Sequence, residues 1–347
     1  MLQEKRKLLI RTLPILLLGL FLFILYIFFF VGFDKIVEAL REVDLNIFVL
    51  ALLFTLLDTF FFTVTWHYLM QALSLTIKFR QAFTYVLIGI FVDILIPAES
   101  VSGELSKIYL IGKNGQQVGK VTASLVVQRI LGMILTTISL VSGVLIYLLT
   151  EGTLPTIITY LTAIVVSFTV FFLALILIFC ARPNWTRKLL DSIFKFLRKI
   201  TRGRLRLDEW EARAKEGLEI FHDSIFLITK SGKKLVISGI SSVLSWIFCL
   251  LTSQFIFFSL KWNISFSTIL IVYSLTLAIK SIPIGIPTEV GVAEIVMTTF
   301  YSLFGVPIGI CAVATILIRV LMVWLKFMMG FIALQWTGIK IIMETPK

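Results

Sequence analysis

Pro97-Ala98-Glu99-Ser100-Val101-Ser102-Gly103-Glu104 and Pro287-Thr288-Glu289-Val290-Gly291-Val292-Ala293-Glu294 set Pro, Glu and Glu at the same spacing, 190 residues apart. The same offset aligns Gly115 with Gly305 and Arg129 with Arg319. Because the chain has only 8 Pro and 20 Gly, agreement of five positions at one offset identifies an internal repeat. Each polar turn interrupts an apolar stretch too short to cross a bilayer, which needs roughly 18 residues or more. Gln81 to Ile96 leads into the first turn, and a short helix bearing Lys107 and Lys113 leaves it; Ser267 to Ile282 leads into the second.

Outward from these turns the chain is a membrane protein. Of its 347 residues 59% are hydrophobic and 15% charged, where soluble globules carry roughly 25% charge. Six apolar runs are long enough to span: Leu13 to Val31, Leu45 to Trp66, Val118 to Leu149, Leu154 to Cys180, Leu235 to Leu260 and Ile308 to Trp336. Between the first two, Asp34 to Asp44 has Ile36, Val37, Leu40 and Val43 on one helical face and reads as a surface helix.

The net charge of +12 is concentrated where it fixes orientation. Lys5, Arg6, Lys7 and Arg11 precede the first run, and Arg182 to Lys234 holds fourteen Lys and Arg against seven acids. The positive-inside rule puts both segments in the cytoplasm. The loop also repeats Leu189, Leu190, Ile193, Leu197, Ile200 and Leu218, Phe221, Ile225, Ile228 at helical spacing, so it is expected to form amphipathic helices on anionic lipid and not to bind nucleic acid. Parity then requires each polar turn to enter and leave on one side. The expectation is an all-α polytopic protein of the plasma membrane with six full spans, two re-entrant hairpins and both termini cytoplasmic. The first repeat covers about 81–149 with its hairpin at 81–113, and the second about 267–336 with its hairpin at 267–304. The two copies are inverted, the plan of many secondary transporters whose broken helices meet near the midplane. Their turns should face one another across a wet cavity, the only place where non-helical backbone is tolerated at that depth.

The charges of these elements form the candidate site: Glu99, Glu104, Arg129, Glu289, Glu294 and Arg319. Unpaired, six such ions would cost on the order of 15 to 20 kcal/mol, so each Arg is expected against a Glu at the start of a half-helix. Asp93 and Lys280, on the entering arms, are candidates for an ion pair between repeats. Lys107 on the leaving arm and Asp58 in the middle of the second span complete the set. Three cysteines without CxxC spacing and two histidines in the whole chain supply no metal site or histidine triad. No phosphate loop or dinucleotide fingerprint is present, so neither a cofactor nor an enzyme is expected. A transporter or flippase, a channel and a membrane scaffold remain, and a scaffold has no need of opposed charged turns.

The same residues carry a family resemblance. Ile96-Pro97-Ala98-Glu99 with Gly103-Glu104, the following Arg129, and Pro287-Thr288-Glu289 to Glu294 with Gly305 and Arg319 resemble the flippase-like membrane region of lysylphosphatidylglycerol synthases, also found as stand-alone proteins. The similarity covers nearly the whole chain, without the cytoplasmic aminoacyltransferase domain. It implies translocation of a lipid rather than its synthesis, with an anionic phospholipid, an aminoacyl lipid or a polyisoprenyl-linked lipid as partner.

Overall fold

The computed structural model describes residues 41, 43–96, 101–113, 115, 117–201, 208–281 and 291–344. The expected first span, nearly all of the surface segment that follows it, and Pro97 to Ser100 and Pro287 to Val290 of the two turns, with Glu99 and Glu289, lie outside the described residues. The described chain is helical: α1 (Leu45–Ala72), α2 (Phe79–Leu95), α3 (Val101–Gly112), α4 (Val118–Thr150), α5 (Thr156–Ala181), α6 (Pro183–Thr201), α7 (Asp208–Lys230), α8 (Gly232–Ser259), α9 (Phe266–Lys280), α10 (Val292–Leu303), α11 (Ile308–Arg319) and α12 (Lys326–Glu344). A π-helical turn, Val320–Leu325, joins α11 to α12 without a break. Five of the six expected spans are helices long and apolar enough to cross a membrane: α1, α4, α5, α8 and the composite Ile308–Thr337. The protein is an all-α, multi-pass membrane protein.

The helices recur at nearly the spacing of the sequence motif. α1 and α8 are each 28 residues long and start 187 residues apart; α2 and α9 start at the same separation. Beyond the turns, α4 and α11 start 190 apart, at 118 and 308. Gly115 and Gly305, just ahead of these two helices, both take positive φ, 77° and 83°, a conformation that favours glycine.

Two features fasten the halves together. α1 and α8 run antiparallel along a seam of small polar residues, with Thr55 against Thr252 at 3.3 Å, Ser238 Oγ donating to the Thr65 carbonyl at 3.2 Å and Lys234 Nζ to the Gln71 carbonyl at 2.6 Å. Small residues let helix backbones approach where no hydrophobic effect drives them together. The hairpin helices are also exchanged. α9 packs on α4, where a Cβ at Gly143 would stand 2.7 Å from Leu270 Cβ. α2 packs on α12, with the rings of Phe91 and Phe327 4.9 Å apart. The buried apolar residues accordingly form one core around α2 and α3 and another around α8 to α11.

The basic segment is two helices. α6 follows α5 after the single residue Arg182 and is strapped to α7 by Arg187 to Glu219 at 2.9 Å, Lys215 to Asp191 at 2.9 Å, and Arg198 to Asp208 and Glu211, both at 2.7 Å. Hydrogen bonds to Glu211 and Asp191 hold the exposed Lys215 ammonium above the usual lysine pKa. The ladder fixes the roll of α6, leaving Trp185, Leu189, Ile193, Phe196 and Ile200 exposed along one face, with exposed Lys188, Lys195 and Lys199 flanking it. A helix of that pattern lies in the plane of an anionic membrane surface. Nitroxide labels in vesicles containing phosphatidylglycerol should therefore report Ile193 and Phe196 below the phosphates and Lys195 above them. Equal depths by oxygen and nickel-chelate relaxation would show that α6 does not lie in the interface.

Candidate functional site

Each half places a glutamate in the first turn of its short helix and an arginine 25 residues later on the next. Arg319 Nε donates to Glu294 Oε1 at 2.9 Å, and Glu294 Oε2 accepts the backbone N–H of Gly291 at 2.7 Å. The carboxylate thus caps its own helix, where the dipole favours it, while it holds the arginine. Both side chains are enclosed, 4% and 1% exposed. In the first half Arg129 Nη1 reaches Glu104 Oε1 at 3.3 Å, and the side chains are 40% and 28% exposed. Equal spacing therefore yields unequal surroundings: one pair is sealed in the core and the other is longer and open.

Asp93 serves the first half differently. Its Oδ1 accepts the Gly103 N–H at 2.6 Å and the Ser102 hydroxyl at 2.8 Å, so a residue of α2 caps the N-terminus of α3 across the hairpin. The approach depends on glycine: a Cβ at Gly103 would fall 2.2 Å from Asp93 Oδ2 and 2.4 Å from the Gly89 carbonyl. A Cβ at Gly89 would meet Lys107 Cε at 3.2 Å, so the lysine stem runs along the same contact. Lys107 is buried, with Nζ 5.2 Å from the Trp66 ring centroid and 5.9 Å from that of Phe62, and it lies within electrostatic reach of Glu104, Asp93 and Arg129.

Asp58 is held by residues that the charge census passed over. Its Oδ1 accepts the Ser245 hydroxyl at 2.6 Å, and its Oδ2 accepts Lys326 Nζ at 2.5 Å. Lys326 and Arg319 are the charged residues of the run Ile308 to Trp336, and that was the available signal. Seven residues of unbroken α-helix would return both to nearly one face. The wider π turn between them alters that rotation, sending Arg319 to α10 and Lys326 to α1. Lys280, at the end of α9, lies within electrostatic reach of Cys249 and makes further interactions. The structure thus gathers Asp93, Glu104, Lys107 and Arg129 in the first half and Glu294 with Arg319 in the second. Asp58 joins the halves. Between α2 and α12 a groove of about 310 Å³ is lined by Thr84, Leu87, Met329, Ile332, Ala333 and Trp336. Among the described residues no group of three His, Cys, Asp or Glu is arranged to hold a metal.

The family model described as lysylphosphatidylglycerol synthase TM region matches residues 16–330. A UPF0104 membrane protein of Methanocaldococcus jannaschii is 28% identical over 334 residues, covering 94% of this chain and 96% of that protein. One of Pyrococcus horikoshii is 24% identical over 312 residues, 88% of this chain and 92% of the relative. A third, of Methanothermobacter thermautotrophicus, is 27% identical over 315 residues, with 89% and 90% covered. No solved structure matches.

Proposed function

Because the chain belongs to the lysylphosphatidylglycerol synthase membrane-region family, we propose that it moves a polar lipid or lipid-linked headgroup across the plasma membrane, with both termini cytoplasmic and no covalent chemistry. The observation that carries this reading is the half-open Glu104–Arg129 pair between the short helix α3 and the apolar span α4. An ion pair that only clamped the fold would need no access to its surroundings, and Glu294–Arg319 has almost none. Charges left partly accessible in a membrane protein suit an amphiphile whose head is polar and whose tail stays in lipid. The groove between α2 and α12 is apolar along most of its lining and suits an acyl or isoprenoid chain. As inverted repeats, the two halves could turn the site of the first half toward one face and then the other, which would carry the headgroup across. Anionic phospholipids, aminoacyl lipids and polyisoprenyl-linked lipids all fit such a site.

Reconstituted liposomes test the reading. The purified chain should raise the transbilayer movement of a fluorescent phosphatidylglycerol above that of empty vesicles. Glu104→Gln, which keeps volume and loses charge, should insert, remain monodisperse and lose most of that movement. Uptake of a water-soluble solute without lipid movement would instead identify a small-solute or ion transporter. A folded Glu104→Gln protein with full activity would remove the pair from the pathway, and loss of folding alone would fit a lipid-binding scaffold.

A further inference from the structure

Lys107 is a buried cation that the first half's Glu104–Arg129 pair leaves over. Glu104 is bonded to Arg129, and Asp93 is taken up by the N-terminus of α3. Among the described residues no carboxylate lies within salt-bridge distance of the Lys107 ammonium, although the residue is only 7% exposed and packs over Trp66 and Phe62. A buried cation without a directly bonded anion is costly, and aromatic faces offset only part of that cost. The second half shows that the fold does not require it: in the register that matches Glu104 to Glu294, the residue at the Lys107 position is Met297, buried and apolar. A Cβ at Gly89 would stand 3.2 Å from both the Gly103 carbonyl and Lys107 Cε, so the lysine stem lies against the close contact between α2 and α3.

Resting on the lipid reading above, we propose that Lys107, with the neighbouring Arg129, binds the phosphate group of the transported molecule, making the first half the anion-reading half. Arg319, sealed against Glu294, then has no part in recognition. With Glu104 bonded to Arg129 and Asp93 taken up by the N-terminus of α3, Lys107 supplies one positive charge without a bonded counter-ion, which favours a phosphodiester over a more highly charged phosphomonoester.

The test is equilibrium binding to the full chain in a neutral detergent, followed by Trp66 fluorescence and calorimetry. The probes are dihexanoylphosphatidylglycerol, dihexanoylglycerol without phosphate, and inorganic phosphate. Wild type should bind the phospholipid at least tenfold more tightly than the phosphate-free lipid, and more tightly than inorganic phosphate. Lys107→Met should lose that preference while its melting temperature stays level or rises, and Lys107→Arg should retain it within a few-fold. The inference is overturned if Lys107→Met binds like wild type, if it unfolds, or if the phosphate-free lipid binds equally well. Inorganic phosphate binding as tightly as the phospholipid would move the site from a lipid headgroup to a soluble anion. Because binding needs no transport, loss of lipid movement in liposomes with phosphate preference intact would sink the flippase reading alone.

Discussion

Arg319→Ala is expected to lower the stability of the folded chain by about 3 to 5 kcal/mol, because it strands a buried carboxylate that has lost its cation. Glu294 is 1% exposed and cannot turn to solvent, and its second oxygen is committed to the Gly291 N–H. Thermal unfolding in detergent, with size exclusion to count folded protein, reads the loss. Arg129→Ala should cost only about 1 kcal/mol by the same measurement, since its partner is partly exposed and water replaces the guanidinium. Combining Arg319→Ala with Glu294→Gln should recover about 1 to 3 kcal/mol, because the amide still accepts from Gly291 and carries no charge. Equal losses for the two arginines would mean that the burial difference between the halves has no energetic weight.

Asp58→Ala is the second large effect, again about 3 to 5 kcal/mol, and here the stranded ion is the Lys326 ammonium. The change also removes the acceptor of the Ser245 hydroxyl in the α1–α8 seam. Asp58→Asn should retain the bond from Ser245 and still suffer for the charge, placing it between wild type and alanine. Adding Lys326→Met to Asp58→Ala should restore much of the loss, as buried pairs replaced by apolar groups often do. If Asp58→Ala and Lys326→Met each cost less than about 1 kcal/mol, water reaches the pair and it does not tie the halves.

For the five described spans the apolar runs were readable in the sequence, since the polar Gln117 precedes the run from Val118 as it precedes α4, although α1 continues to Ala72, past the Trp66 at which its run stops. The Glu-to-Arg contacts were readable from spacing too, since a carboxylate in a first turn and an arginine on the next helix recur together. Their unequal burial was not: a linear pattern fixes which charges exist at membrane depth but not which neighbours close over them. Lys326 eluded the reading for a geometric reason. Seven residues from Arg319, it falls on the same face of an ideal wheel, and the π turn that redirects it has no signature in Val320-Leu321-Met322-Val323-Trp324-Leu325. The role of Asp93 was hidden likewise, because an α2 carboxylate that caps α3 follows from the close approach at Gly103, which only the packed hairpin displays.

Taking the halves as copies of one ancestral unit, the seam between α1 and α8 has a consequence for how they diverged. With helices of equal length starting 187 residues apart, the counterpart of Asp58 is Ser245, and those two residues touch each other. A twofold relation between the halves in that register would place this contact on its axis, where a residue meets its own duplicate. Identical copies would have set aspartate against aspartate, a like-charge contact in a low-dielectric interior. One copy had to give up the acid or neither could keep it. The lysine that accompanies the surviving acid is equally one-sided, since the position matching Lys326 at the 190-residue offset is Thr136. A junction of this kind therefore requires two copies that are free to mutate separately, as the halves of a single chain are.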